Sequence, residues 1–258
     1  MRDADLDRVR ALPLFAGLSP DVFRRLLGGA FLQRFPAGTT LLLEGDRVDF
    51  LYVLLDGTVE LQGAWKDRDT TLAVLRPVST FILAAVVLDA DGLMSARTLE
   101  RSEILMLSGE VIRRTMKEDS NFAFAVSQEL AGCYRGLVRS IKNQKLRGGV
   151  ERLANYLITQ RIRQGGGDSI TLQYEKRVLA ALLGMTPENL SRAFASLGSH
   201  GVTVRGPTVS IARLDALERL AQPNPLIDNH MPPQDRIVSQ GERERWASEV
   251  ARSTGYAH

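Results

Sequence analysis

The chain has 258 residues, 44% of them hydrophobic and 24% charged, with a formal net charge of +3. That length suits two domains of about 100–150 residues, the composition excludes wholesale disorder, and the longest apolar run, Phe81 to Leu88, is too short to span a bilayer. A single cysteine, Cys133, excludes an intrachain disulfide and a one-chain cysteine cage for zinc or an iron–sulfur cluster. With Asp3, Asp5 and Asp7 at an N-terminus that is no signal peptide, a cytoplasmic protein without a membrane partner is expected.

In chain order, Ser19-Pro20 supplies a cap and a first-turn proline ahead of the helically spaced Val22, Phe23, Leu26 and Leu27, which predicts a short helix. Residues 31–107 carry short β-branched and aromatic runs broken by Gly and Asp, such as Leu51-Tyr52-Val53-Leu54-Leu55 ahead of Asp56-Gly57, and are expected to form an all-β block. From Ser120 the period turns helical, with Phe122, Val126, Leu130, Cys133, Leu137 and Ile141 spaced four, four, three, four and four apart. One long helix cannot bury such a seam alone. It is expected to pair with the same helix of a second copy across a two-fold axis, with these six residues as the dimer interface. Within that seam Cys133 reads as a small buried hydrophobe, with redox sensing or an intersubunit disulfide as the alternative.

Gly148-Gly149 marks a hinge, since paired glycines weaken a helix and permit unusual dihedrals. Helical segments resume at Val150–Ile158, Lys176–Leu183 and Pro187–Leu197, and Val202–Arg205 and Thr208–Ile211 alternate around Gly206-Pro207 as a small hairpin. Beyond Gln222 the chain is rich in Pro, Asn, Asp, Gln and charge, and a largely disordered tail is expected. The expected division is an N-terminal sensor domain over 1–119, a dimerisation helix and hinge over 120–147, a winged helix-turn-helix over 148–221 and the tail over 222–258.

The segment Lys176–Leu197 has the spacing for two tightly crossed helices: Val178, Leu179 and Leu182, a turn at Gly184, then Leu190, Phe194 and Leu197. Thr186 caps the second helix and Pro187 takes its first turn. Glu188, Asn189, Ser191, Arg192 and Ser196 fall on other faces, toward the end where such helices meet base edges. Arg192 can give a bidentate pair to guanine O6 and N7, Glu188 can accept from cytosine N4, and Ser191 can touch a base edge or a thymine methyl. The bland alternative is that Glu188 and Arg192, four apart, are a surface ion pair. Arg135, Arg139, Lys142, Lys145, Arg147 and Arg152 flank the hinge with few acids among them, which predicts a cationic region near the motif. Lys145 and, in the hairpin, Arg205 complete the expected DNA-binding set with double-stranded DNA as partner.

Over about Leu12 to Leu214 these residues resemble the CRP/FNR family of transcription regulators. Phe35-Pro36-Ala37-Gly38-Thr39, Leu43-Glu44-Gly45-Asp46 and Phe50–Leu61 look like the glycine-punctuated β-roll of cyclic-nucleotide-binding domains. Glu188-Asn189-Leu190-Ser191-Arg192 is similar to the Glu-x-x-Ser-Arg of the FNR and FixK branch. The resemblance implies an α+β fold with an N-terminal β-roll, a long dimerisation helix and a C-terminal winged helix-turn-helix. It further implies a palindromic site with TTGAT-like half-sites and RNA polymerase as a partner.

Where the family's nucleotide cassette has Gly-Glu near its start and Arg-Ser-Ala or Arg-Thr-Ala near its end, this chain has Phe81-Ile82-Leu83-Ala84-Ala85 and Met94-Ser95-Ala96. A buried cyclic phosphate needs a cation or several backbone donors, and its ribose hydroxyl an acceptor. Ile82, Leu83, Met94, Ser95 and Ala96 form a degenerate cassette, and Arg97, three positions beyond Met94, points to the other face of a strand. Binding of cAMP is therefore not expected. The histidines, His200, His230 and His258, lie outside the sensor domain, so haem on a sensor histidine is excluded, while ligation by Cys133, a methionine or a terminus stays open. No cofactor is expected and the effector is left unassigned. Nothing in the chain reads as an enzyme: there is no metal-ligand cluster, no nucleophile beside a histidine and no phosphate-cradling loop. The alternatives to a DNA-binding regulator are a ligand-sensing module acting on a protein partner, or a haem or redox sensor of the same family.

Overall fold

Ser19 and Pro20 begin a helix as their chemistry requires: the Ser19 hydroxyl accepts from the Val22 N–H at 3.3 Å, and Val22, Phe23 and Leu26 face inward. In the computed structural model, which describes residues 3–228, this is α3 (Pro20–Leu27), preceded by α1 (Asp3–Arg10) and α2 (Pro13–Ala16). Eight strands follow: β1 (Phe31–Phe35), β2 (Thr40–Leu42), β3 (Phe50–Asp56), β4 (Val59–Trp65), β5 (Arg68–Leu75), β6 (Ser79–Phe81), β7 (Ser95–Thr98) and β8 (Ser102–Ser108). They pair antiparallel in two sheets, ordered β1-β8-β3-β6 and β2-β7-β4-β5. In β3 the whole run Leu51–Leu55 is buried, because α1 packs beside this strand and the roll interior covers its other face. The β3–β4 turn depends on Gly57, whose φ is +90° and where an added Cβ would lie 2.6 Å from the Arg101 carbonyl.

The all-β expectation for 31–107 is corrected by α4 (Leu83–Leu88), set between β6 and β7. Six residues of a continuous apolar run are too few for a helical period to show in sequence. The helix is entered through Ile82 at φ 67°, ψ 16°, a left-handed conformation that a β-branched residue adopts only under strain.

After β8 come α5 (Gly109–Glu118) and α6 (Ser120–Leu146). The Asp119 carboxylate separates them by accepting from the Phe122 N–H at 2.8 Å. Along α6, Phe122 and Val126 are both 0% exposed and share the β-domain core with Phe15, Leu54 and Ile112, while α2 packs against the helix. Their assignment to a dimer interface is corrected: the chain's own β domain already covers them. Leu130 packs at the margin of that core, whereas Leu137 is 64% and Ile141 57% exposed, beside exposed Tyr134 and Val138. Cys133 is also exposed rather than buried in the single chain.

Past the hinge lie α7 (Gly149–Arg163), β9 (Ser169–Thr171), α8 (Lys176–Leu182), α9 (Pro187–Leu197), β10 (Val202–Arg205), β11 (Thr208–Ile211) and α10 (Leu214–Ala221). The three strands form a sheet ordered β10-β11-β9. They enclose a second core with Leu153, Leu157, Leu179, Leu190, Leu197, Val209 and Leu217. The Gly148 N–H donates to the Glu151 carboxylate at 2.6 Å, which restarts the helix after the extended Arg147.

Two of the hinge arginines are structural, which corrects the expected cationic region. Arg152 donates to the carbonyls of Leu183 (2.7 Å), Gly184 (3.3 Å) and Gln144 (3.4 Å), tying α7 to the end of α8 and the last turn of α6. Arg147 makes a bidentate pair with Asp228, 2.6 Å on each arm. Residues 222–228, expected to begin a disordered tail, therefore fold back onto the hinge, held by this pair and by the Arg147 hydrogen bond to the Gln222 carbonyl at 3.3 Å. The rest of the expected tail, 229–258, lies outside the described residues. Among the described residues no helix is long and apolar enough to cross a membrane.

Candidate DNA-binding interface

The helix pair expected at Lys176–Leu197 is built as its residues require. Gly184 turns the chain at φ +62°, its N–H bonding the Ala181 carbonyl at 2.9 Å and the Met185 N–H the Ala180 carbonyl at 3.0 Å. The Thr186 hydroxyl then accepts from the Asn189 N–H at 3.3 Å and Pro187 occupies the first turn of α9. Leu190, Ala193 and Leu197 are buried against α7 and α8, and Phe194 is half-buried at the edge of the same core.

That anchoring turns Glu188, Asn189, Ser191 and Arg192 to one exposed side of α9. Ser191 and Ser196 spend their hydroxyl protons on the helix, donating to the Pro187 and Arg192 carbonyls at 3.0 and 3.1 Å. In this rotamer Ser191 offers only lone pairs and its methylene outward, which fits contact with a base donor or a thymine methyl. The Glu188 carboxyl is held below its ordinary range by its own backbone N–H, then by the Thr186 hydroxyl, with Arg192 adding a smaller pull. Glu188 is thus an ionised acceptor at neutral pH. Thr186→Ala should cost about 1 kcal/mol of helix stability, read from urea unfolding of the DNA domain; an unchanged midpoint would show that the cap is dispensable.

Lys145 stands exposed in the last turn of α6, and Arg205 at the end of β10 beside the β10–β11 turn. They share no element with the α9 row, so the site is one helix face with two outlying cations. Sequence reasoning missed Lys176 and Arg177, exposed in the first turn of α8. Two adjacent cations just ahead of the apolar Val178-Leu179 were the available signal, because the first helix of such a pair crosses the DNA backbone.

In the β domain the degenerate cassette is filled with carbon. Leu83 and Ala96 are buried, and Ile82 and Met94 pack against the same core. Tyr52 and Phe81 stack with ring centroids 5.0 Å apart. The Ser95 hydroxyl accepts from the Glu44 N–H at 2.9 Å, and Arg97, turned away from buried Ala96, is exposed, its Nε donating to the Gly38 carbonyl at 3.2 Å. Ile82, Leu83, Met94, Ser95 and Ala96 include neither a cation nor a carboxylate, the groups that a buried cyclic phosphate and its ribose would call for.

Two family models match the chain. One described as cyclic nucleotide-binding domain covers residues 32–119, and one described as Crp-like helix-turn-helix domain covers residues 151–220. The cyclic AMP receptor protein of Thermus thermophilus is 28% identical over 220 residues, 83% of this chain and 98% of that protein. The structure of FixK2 from Bradyrhizobium japonicum is similar with a TM-score of 0.62 at 18% identity, covering 74% of this chain and 96% of that one. The c-di-GMP responsive global regulator CLP of Xanthomonas campestris gives a TM-score of 0.64 at 19% identity, covering 75% and 99%. At these identities the two structures speak for the fold.

Proposed function

The chain belongs to the CRP/FNR family of DNA-binding transcription regulators, and from that premise we propose that it works as a homodimer on a palindromic site with TTGAT-like half-sites, without cAMP as its effector. The observation that carries the site reading is the single exposed row Glu188, Asn189, Ser191, Arg192 on a helix capped and anchored for presentation. Arg192 takes the guanine of each half-site through O6 and N7, Glu188 accepts from a cytosine N4, and Ser191 meets a thymine methyl. Lys145 and Arg205 hold phosphates and set register without reading sequence. Two copies joined along α6 place their α9 helices in successive major grooves, about 34 Å apart, which is why the site must be palindromic. The β-roll sensor of residues 1–119 biases that geometry through the helix and hinge of 120–147, and RNA polymerase in the cytoplasm is the onward partner.

Independence from cAMP is supported by Leu83 and Met94 standing where charged groups would be required, although the Thermus relative is named for cAMP. Isothermal titration of the purified dimer should give no heat of binding; saturable micromolar binding would overturn this part. Arg192→Ala should lose about 1–3 kcal/mol of discrimination against a half-site whose guanine is replaced. Lys145→Ala should instead weaken all duplexes alike and flatten the salt dependence. If Arg192→Ala kept the wild-type ratio between specific and scrambled duplex, α9 would not be the reading helix.

A further inference from the structure

Glu60 lies on β4 between Val59 and Leu61, whose side chains are buried in the roll. Alternation along a strand turns it to the outer face, where a carboxylate belongs in water. Its side chain is nevertheless 1% exposed. Two of its partners come from the same hairpin: the Gln62 amide donates at 2.8 Å, and the Thr71 hydroxyl of β5 donates to the other oxygen. The cation comes from the DNA domain, whose α8 packs on β5 and brings Arg177 Nη2 to 3.8 Å from Glu60 Oε2.

A second contact holds the same end of α8. Arg76, just after β5, lies over the ring of Tyr174 at 5.3 Å and donates from Nε to its hydroxyl at 3.2 Å. Tyr174 stands two residues ahead of α8, so the sensor domain grips the start of this helix at two points. Beside this contact the Tyr156 hydroxyl of α7 is held above its ordinary range, by burial first and by Tyr174 second.

We propose that this contact is an autoinhibitory latch, in which Glu60 of the sensor domain and the phosphates of DNA compete for Arg177. The proposal rests on the DNA-binding reading above, because it needs α8 to be the helix that crosses the DNA backbone. Arg177 is 54% exposed in the closed arrangement, and a long, half-exposed pair is weak. Weakness is what a latch requires, since a phosphate that releases its counterions on meeting Arg177 can displace the carboxylate. Any signal that shifts the β4–β5 hairpin would open the same contact.

The test uses the full-length dimer with a duplex carrying two TTGAT half-sites and a scrambled duplex of equal length. Glu60→Gln keeps an acceptor for Thr71 and removes the charge. It should tighten both duplexes about two- to fivefold per protomer, the range such a pair is worth, and speed hydrogen exchange of α8 amides in the absence of DNA. Arg76→Ala, which releases Tyr174 at the surface, should act in the same direction and serves if the first variant folds poorly. Arg177→Ala should lower the slope of log affinity against log salt by about one unit per protomer, and Glu60→Gln added to it should bring no further gain. A wild type that binds while Glu60→Gln and Arg76→Ala bind no tighter would overturn the latch alone. Failure of wild type and Glu60→Gln alike to shift either duplex at low salt would overturn the DNA reading and the latch with it.

Discussion

Asp228→Ala is expected to destabilise the DNA domain by about 3–5 kcal/mol, the cost of leaving one member of a buried ion pair uncompensated. Arg147 and Asp228 are each only 8% exposed. Both guanidinium arms are committed to the carboxylate, which also accepts from the Asn224 N–H at 2.7 Å. Remaining contacts to Asn143 Oδ1 at 3.2 Å and the Gln222 carbonyl at 3.3 Å are to neutral groups and cannot replace a counterion. Loss of the carboxylate should free residues 222–228 and loosen the break between α6 and α7 together, seen as faster native-state hydrogen exchange in α7 and α10. The double variant Arg147→Met/Asp228→Leu should recover most of the loss, because no charge is then left buried. A cost below about 1 kcal/mol would mean the pair behaves as a solvated surface bridge.

The second large effect belongs to the far half of α6. Leu137→Glu/Ile141→Glu is expected to make the protein monomeric at micromolar concentration, since burying each such side chain contributes about 1.5–3 kcal/mol and two copies carry four of them. Affinity for a palindromic duplex should fall at least about a hundredfold, because the second recognition helix is no longer tethered to the first. Val126→Ala on the same helix should do the opposite: it leaves the dimer intact and weakens the β domain by opening a cavity. Sedimentation and duplex titration of the three proteins separate these outcomes. A dimeric Leu137→Glu/Ile141→Glu protein would place the interface on another surface.

What could be read from the sequence followed the range of the interactions involved. The α8–α9 pair was legible because its determinants are local: Gly184, Thr186 and Pro187 sit within four residues, and each has one dominant structural use. The length of α6 was legible from its period, but not which stripe faces what. Phe122 and Val126 have the same spacing as Leu137 and Ile141, and only the arrival of α2 and the β-roll beside the first turns distinguishes them. Helix α4 was hidden in a run that is apolar throughout. Asp228 meets Arg147 across 81 positions, and Glu60 meets Arg177 across a domain boundary. No local pattern announces either contact. The cassette was informative for the reverse reason: missing charges at Leu83 and Met94 can be read without knowing any contact.

One end of α6 is clamped in the β domain by Phe122 and Val126, and the other carries the hinge into the DNA domain. The helix of 27 residues is about 40 Å long. A tilt of about 5° at the clamped end, once the contact between α8 and β5 is released, would carry the far end sideways by roughly 3.5 Å, close to the rise of one base pair. In the proposed dimer, a repacking around Phe122 that tilts α6 by this much would shift each α9 by about one base step relative to the grooves.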